Sequence, residues 1–187
     1  SLASSVPPFY KYIITRIIRI VKSFLKISQK ILTERRKLKM SVKTYNFADT
    51  TQLSPQLSPH FNVQEFCCKC GDAHATLVSD ELVQKLEALR SALDCKSIVI
   101  TSGYRCPSHD AAVSTGRGQH TKGTAADICC YGKDGKPISS KLVCCTAQDL
   151  GFTGIANITS AYDCTHVDVR SSGTWYGNEV YGNGNVT

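Results

Sequence analysis

The chain has no apolar run long enough to cross a bilayer. A span needs about 20 consecutive apolar residues, and residues 9–36, the most apolar stretch, are interrupted by Lys or Arg every few positions. The same interruptions make a poor secretory signal, so none is read. Acids are nearly absent from residues 1–40, where ten Lys/Arg face Glu34 alone. Beyond them, twelve Lys/Arg face fourteen Asp/Glu, so a whole-chain charge of +7 becomes −2 over residues 41–187. A near-neutral body argues against a nucleic-acid partner. No internal repeat is visible, which excludes repeat arrays. Methionine and tryptophan occur once each, as Met40 and Trp175.

What is present suits a small globular protein. With 187 residues, 42% hydrophobic and 20% charged, the chain holds one domain and a short extension. Lys11, Arg16, Arg19, Lys22, Lys26 and Lys30 alternate with Ile14, Ile17, Ile18, Val21, Leu25 and Ile31. This pattern predicts a basic amphipathic helix over 9–36. Three readings stay open for it: a helix contacting a membrane surface or partner, a helix docked on the domain, or upstream or non-native sequence ahead of a true start at Met40. The expected division is an extension over 1–39 and a domain over 40–187.

The ten cysteines all follow Met40, and three pairs are sequence neighbours: Cys67/Cys68, Cys129/Cys130 and Cys144/Cys145. Neighbours on a strand point to opposite faces, which favours mostly reduced, partly buried thiols over a disulfide framework. Cys68, Cys70 and Cys106 form a candidate clip, either a disulfide or a metal site. His60, His74 and His109 read as surface residues.

Leu82, Leu86, Leu89 and Leu93 recur at spacings 4-3-4 and predict a helix over 76–93, with Ser79, Asp80 and Glu81 suited to its start. Residues 41–59 read as an extended lead-in. Strands are predicted over 97–101, 125–130 and 165–170, and helices over 107–113 and 138–150. The tail 176–187 reads as irregular. Helices and short strands without βαβ alternation indicate an α+β fold.

Two segments carry chemistry. In the first, His120 and Asp127 are separated by Gly123, which permits a tight turn, and by the small Ala125. In the second, His166, Asp168 and Arg170 share one face of a strand whose Val167 and Val169 face the core. Two histidines, a carboxylate and an open fourth position make a catalytic zinc set. A hydrolase also needs a base for the attacking water and a cation for the developing oxyanion. Asp163 and Arg105 are the candidates.

At these residues the chain resembles the zinc D-alanyl-D-alanine carboxypeptidase family (peptidase family M15), which includes vancomycin-resistance D,D-dipeptidases and phage L-alanyl-D-glutamate endolysins. The resemblance rests on Ser102-Gly103-Tyr104-Arg105, on His120, Gly123, Ala125 and Asp127, and on Asp163 three before His166. The lead-in His60-Phe61-Asn62-Val63 with Glu65-Phe66, then Cys68, Cys70 and Gly71, resembles the short phage-like branch. So do Leu86, Leu89 and Arg90, then Gly151-Phe152, Gly154-Ile155 and Trp175. It covers about residues 59–175.

The resemblance implies a small antiparallel sheet flanked by helices, the fold also of hedgehog signalling domains. It implies one catalytic Zn²⁺ on His120, Asp127 and His166, Asp163 as general base, and Arg105 as transition-state stabiliser. Ser102, Tyr104 and Trp175 would contact substrate, and Asp168 would orient a ligand, although it rivals Asp163 as the base. The implied substrate is a peptidoglycan stem peptide, cut as a D-Ala-D-Ala carboxypeptidase or an L-Ala-D-Glu endopeptidase. A monomer made in the cytoplasm and acting on the wall after lysis or secretion is expected. The chain departs from the family at Gly118, where a serine is usual, and at Ser114-Thr115-Gly116-Arg117, which replaces a Gly/Asn-rich loop. The alternative is a non-catalytic, zinc-stabilised binding module of the hedgehog kind.

Overall fold

The fold is read from a computed structural model, which describes residues 21, 22, 26, 41–46, 55–114, 118–158 and 163–177. The chain divides into two units, Ser1–Met40 and Ser41–Thr187. In the first, residues 21, 22 and 26 are helical and exposed. The remainder of the basic helix lies outside the described residues, as do residues 115–117 and the tail beyond 177. No described helix is long and apolar enough to cross a membrane.

The second unit is α+β. Strands β1 (Val42–Tyr45) and β2 (Thr76–Ser79) form an antiparallel pair. A short 3₁₀ helix, Val63–Phe66, lies between them in sequence. Helix α1 (Asp80–Ala92) follows β2 directly. Then come β3 (Ser97–Ser102), α2 (Pro107–Val113), β4 (Ala125–Tyr131), α3 (Ser140–Asp149), β5 (Gly154–Ile158), β6 (Cys164–Asp168) and β7 (Trp175–Tyr176). The larger sheet has the order β3-β4-β6-β5-β7. Its pairings are antiparallel except for the two-residue parallel contact of β7 with β5.

The helix expected over 76–93 is thus a strand followed by a helix. Thr76 and Val78 are β-branched and buried, and they pair with the lead-in. Helix α1 begins where Ser79 Oγ accepts the Leu82 N–H at 3.4 Å and Asp80 and Glu81 meet the positive helix end. Helix α2 starts with Pro107 in its first turn, where a missing N–H costs nothing.

The two faces of the sheet have separate uses. Ile98 and Ile100 of β3, Ala126, Ile128 and Cys130 of β4, and Val167 of β6 point to one side. They form one core with Leu82, Leu86 and Leu89 of α1 and Val143, Cys144 and Ala147 of α3. The alternate residues, Asp127 of β4 and His166 and Asp168 of β6, point to the other side. That face carries the site.

Candidate metal centre

Register builds the centre. Asp127 stands directly opposite His166 on neighbouring strands, and two residues along Cys129 stands opposite Cys164. The Cys129 and Cys164 Cα atoms are 4.4 Å apart, the spacing of a non-hydrogen-bonded pair, and the two sulfurs form a disulfide. Asp127 and His166 have the same parity, so they also occupy a close-approach position. A bulge between Ile100 and Ser102 inserts Thr101, and Ser102 thereby pairs with Asp127 on the site face. Without it Ser102 would share the core face of Ile98 and Ile100.

His120 arrives from a turn rather than a strand. The Gly123 N–H bonds back to His120 O at 3.1 Å, and the Thr124 N–H to Gln119 O at 3.1 Å. Gly123 has φ +67°, and a Cβ there would lie 2.4 Å from Leu77 O. Both the conformation and the space demand glycine.

The three donor atoms form a tight triangle. His120 Nε2 lies 3.2 Å from His166 Nδ1, His166 Nδ1 lies 2.9 Å from Asp127 Oδ1, and Asp127 Oδ1 lies 3.4 Å from His120 Nε2. Ligands about 2.0–2.1 Å from one tetrahedral ion stand about 3.3–3.4 Å apart. The remaining ring atoms fix the lone pairs. His120 Nδ1 sits 2.7 Å from the Gly103 carbonyl, which only accepts, so that nitrogen carries the hydrogen and Nε2 is the atom turned to the triangle. His166 Nε2 sits 3.3 Å from Asp168 Oδ2, which leaves Nδ1 as the ligand. Two imidazole nitrogens and a carboxylate oxygen converging at these distances suit a shared cation. The donor set therefore fits a metal ion.

Burial alone would raise the Asp127 carboxyl, but hydrogen bonds from His120 and His166 outweigh it and hold the group well below the ordinary range. Burial would lower His166, but Asp127 and Asp168 on either side push it up to about 9. Burial likewise opposes ionisation of Asp168, and Arg170 and His166 overcome that to hold it at about 2.

Asp168 is fully buried and gripped by Arg170. Arg170 Nε donates to Oδ1 at 2.9 Å, the Arg170 backbone N–H donates to Oδ1 at 3.1 Å, and Nη2 donates to Oδ2. Its pocket exists because residue 154 on β5 is glycine. A Cβ at Gly154 would lie 1.9 Å from Asp168 Oδ2. Trp175 stands edge-on to His166 with centroids 5.7 Å apart, and the Arg170 guanidinium lies 5.2 Å over its ring.

Arg105 is also drawn in. Its Nη2 lies 2.5 Å from Asp127 Oδ2, its Nε donates to Ser102 Oγ at 2.8 Å, and its Nη1 lies 3.6 Å from buried Asp110 Oδ1. The fork thus holds the Asp127 oxygen that the histidines leave free. Two expected site residues are not brought to this cluster. Tyr104 bonds through its backbone N–H to Phe66 O at 2.8 Å, and its phenol is raised by burial and by the thiols of Cys106, Cys68 and Cys70. Asp163 is exposed, has φ +21°, and makes no hydrogen bond or ion pair among the described residues. The positive φ breaks strand alternation just before β6.

Some of this was beyond sequence reasoning. Asp110 as an Arg105 partner, Gly154 as the floor under Asp168, and the Cys129–Cys164 bond all depend on register. The expectation of mostly reduced cysteines meets eight free thiols and this one disulfide. His60 is a surface residue as expected, its Nδ1 paired with Glu87 Oε2 at 2.8 Å, but the surface reading needs correction for His74, which is half-buried with its Nε2 3.1 Å from Cys70 Sγ.

The sequence model of the Peptidase M15 family matches residues 59–168. That span covers more than half of the chain and contains every ligand of the triangle. The chain belongs to the peptidase M15 family, whose members are metallopeptidases, and that membership implies hydrolase activity. No curated protein sequence matches it.

Proposed function

We propose that the protein is a zinc metallopeptidase that hydrolyses peptidoglycan stem peptides. The observation that carries this reading is the donor triangle of His120 Nε2, His166 Nδ1 and Asp127 Oδ1, set on a family of metallopeptidases. These three residues would hold the ion. A zinc ion bound there supplies Lewis acidity for a carbonyl oxygen and for water at neutral pH.

The chain's own groups do the rest. Asp163, three residues before His166, accepts the proton of the attacking water. Arg105 balances Asp127 at rest, and its guanidinium, with Ser102 beside it, is the cation nearest an oxyanion developing at the centre. Asp168 fixes the His166 ring, and Arg170 fixes Asp168. Trp175 walls the His166 side of the cleft, with Ser102 on the other side.

Digestion of purified peptidoglycan, with mass spectrometry of the released stems, is the test. Loss of a terminal D-Ala marks a carboxypeptidase, and a cut between L-Ala and D-Glu marks an endopeptidase. Asp163→Asn should keep zinc and lose turnover. Full activity in that variant would move the base to Asp168.

A second reading has its own support. Asp163 touches none of the three ligands, and Arg105 is fully engaged by Asp127, Ser102 and Asp110. A zinc-stabilised binding module would look like this. Intact stems after digestion with zinc-loaded protein would favour it.

A further inference from the structure

We infer that the protein has a second, structural metal site, built from the thiolates of Cys68, Cys70 and Cys106 and suited to zinc. It is separate from the His120–Asp127–His166 centre and does not depend on the proposed activity. The sulfurs of Cys68, Cys70 and Cys106 all lie within 4.8 Å of one another. Three thiolates about 2.3 Å from one tetrahedral zinc stand about 3.8 Å apart. His74 Nε2 lies 3.1 Å from Cys70 Sγ but groups with Cys70 and Asp72 rather than with Cys68 and Cys106, so it flanks the three thiolates on the Cys70 side.

The surroundings support thiolates. The Cys106 backbone N–H points at Cys68 Sγ at 3.3 Å, and Ser108 Oγ lies 3.3 Å from Cys106 Sγ. Cys67, the sequence neighbour, turns away toward Val63 O and Thr76 Oγ1, so only one of that pair joins the cluster. Asp72 also lies near Cys70 and His74, but its carboxylate is 82% exposed, and a hard oxygen is a poor companion for soft sulfur ligands. A disulfide would use two of the three sulfurs and leave the third stranded.

The position gives the site a purpose. Cys68 and Cys106 are separated by 38 residues, so one ion closes a long loop. Cys106 directly follows Arg105, whose fork holds Asp127. Three residues earlier, Gly103 O receives the His120 Nδ1 hydrogen at 2.7 Å. The second ion would therefore anchor segment 103–106, which supplies Gly103 and Arg105 to the first centre.

The test uses the full chain, purified under reducing conditions with zinc. The wild type should hold about two ions. His120→Ala/His166→Ala should hold about one, and so should Cys70→Ser. Cobalt(II) exchange separates the sites, because only thiolate ligands give a sulfur-to-cobalt charge-transfer band. The band should appear in the wild type, persist in His120→Ala/His166→Ala, and be lost in Cys70→Ser. One ion per wild-type chain with no charge-transfer band would overturn the inference. So would an intact mass two hydrogens light, mapped to a bridge among Cys68, Cys70 and Cys106. The wild-type measurement stands even if a variant fails to fold.

Discussion

Replacing Gly154 by alanine places a methyl carbon 1.9 Å from Asp168 Oδ2, 2.2 Å from its Cγ and 2.5 Å from its Oδ1. No rotamer of a flexible side chain relieves this, because the neighbour is a fully buried carboxylate held by Arg170 and His166. On backbone grounds alone the change would be mildly favourable, since alanine lowers the entropy of the unfolded chain by about 0.4–1 kcal/mol. Two costs oppose it. Overpacking a tight site costs about 1–3 kcal/mol. Pushing Asp168 off Arg170 breaks a buried ion pair, for which one-sided loss costs about 3–5 kcal/mol. A net loss of about 3–7 kcal/mol follows. Because Asp168 orients His166, metal affinity should fall about 10–100-fold.

Urea denaturation of the metal-free protein and a chelator competition titration read the two effects. The decisive comparison is a double-mutant cycle. In an Asp168→Ala background the methyl has room, and Gly154→Ala should then cost less than about 0.5 kcal/mol. Equal costs in both backgrounds would refute the reasoning, and so would a single variant as stable as wild type with unchanged metal affinity.

Other perturbations test other parts of the fold. Under oxidising conditions Cys164→Ser should lose about 2–4 kcal/mol, since the Cys129–Cys164 bond closes a loop with a separation of 35 residues. A phosphine reductant should abolish the difference. Native-state alkylation should spare Cys130 and Cys144, whose thiols burial pushes up to about 12 and about 11. Labelling of either in the folded protein would contradict the core described above. Burial would raise Glu87, but bonds from Ser58 Oγ at 2.6 Å and from His60 lower it below its ordinary value. Its contribution is therefore complete above the ordinary carboxylate range and lost as pH falls through the lowered value. Glu87→Gln should cost about 0.5–1 kcal/mol near pH 7, with the difference closing in acid. A gap that persists at low pH would contradict that assignment.

Local patterns in the chain carried much of this structure. The leucine spacing of α1, the β-branched run of β3 and the alternation of Thr165, His166, Val167 and Asp168 each depend on neighbours within a few residues. So does the turn from His120 through Gly123 to Asp127. The start of α1 was misplaced for a physical reason. Thr76 and Val78 fit a helical pattern about as well as a strand, and only the pairing with Val42–Tyr45 decides between them. Strand β5 was not legible either, because Gly154 and Ala156 look like weak strand formers. Their smallness makes sense only opposite Asp168 and His166. Register also hid the bulge that turns Ser102 to the site face, the Cys129–Cys164 bond, and the Asp110 carboxylate beside Arg105. These join residues distant in sequence, and no local pattern records them.

The central claim is that His120, Asp127 and His166 hold the metal on which peptide hydrolysis depends. It is tested most directly by measuring metal content and stem-peptide cleavage on the same preparations of wild type and His166→Ala. The account predicts that the variant loses one ion and that cleavage falls to background, while its fold, read by circular dichroism, is kept. Cleavage at the wild-type rate with that ion missing would contradict it.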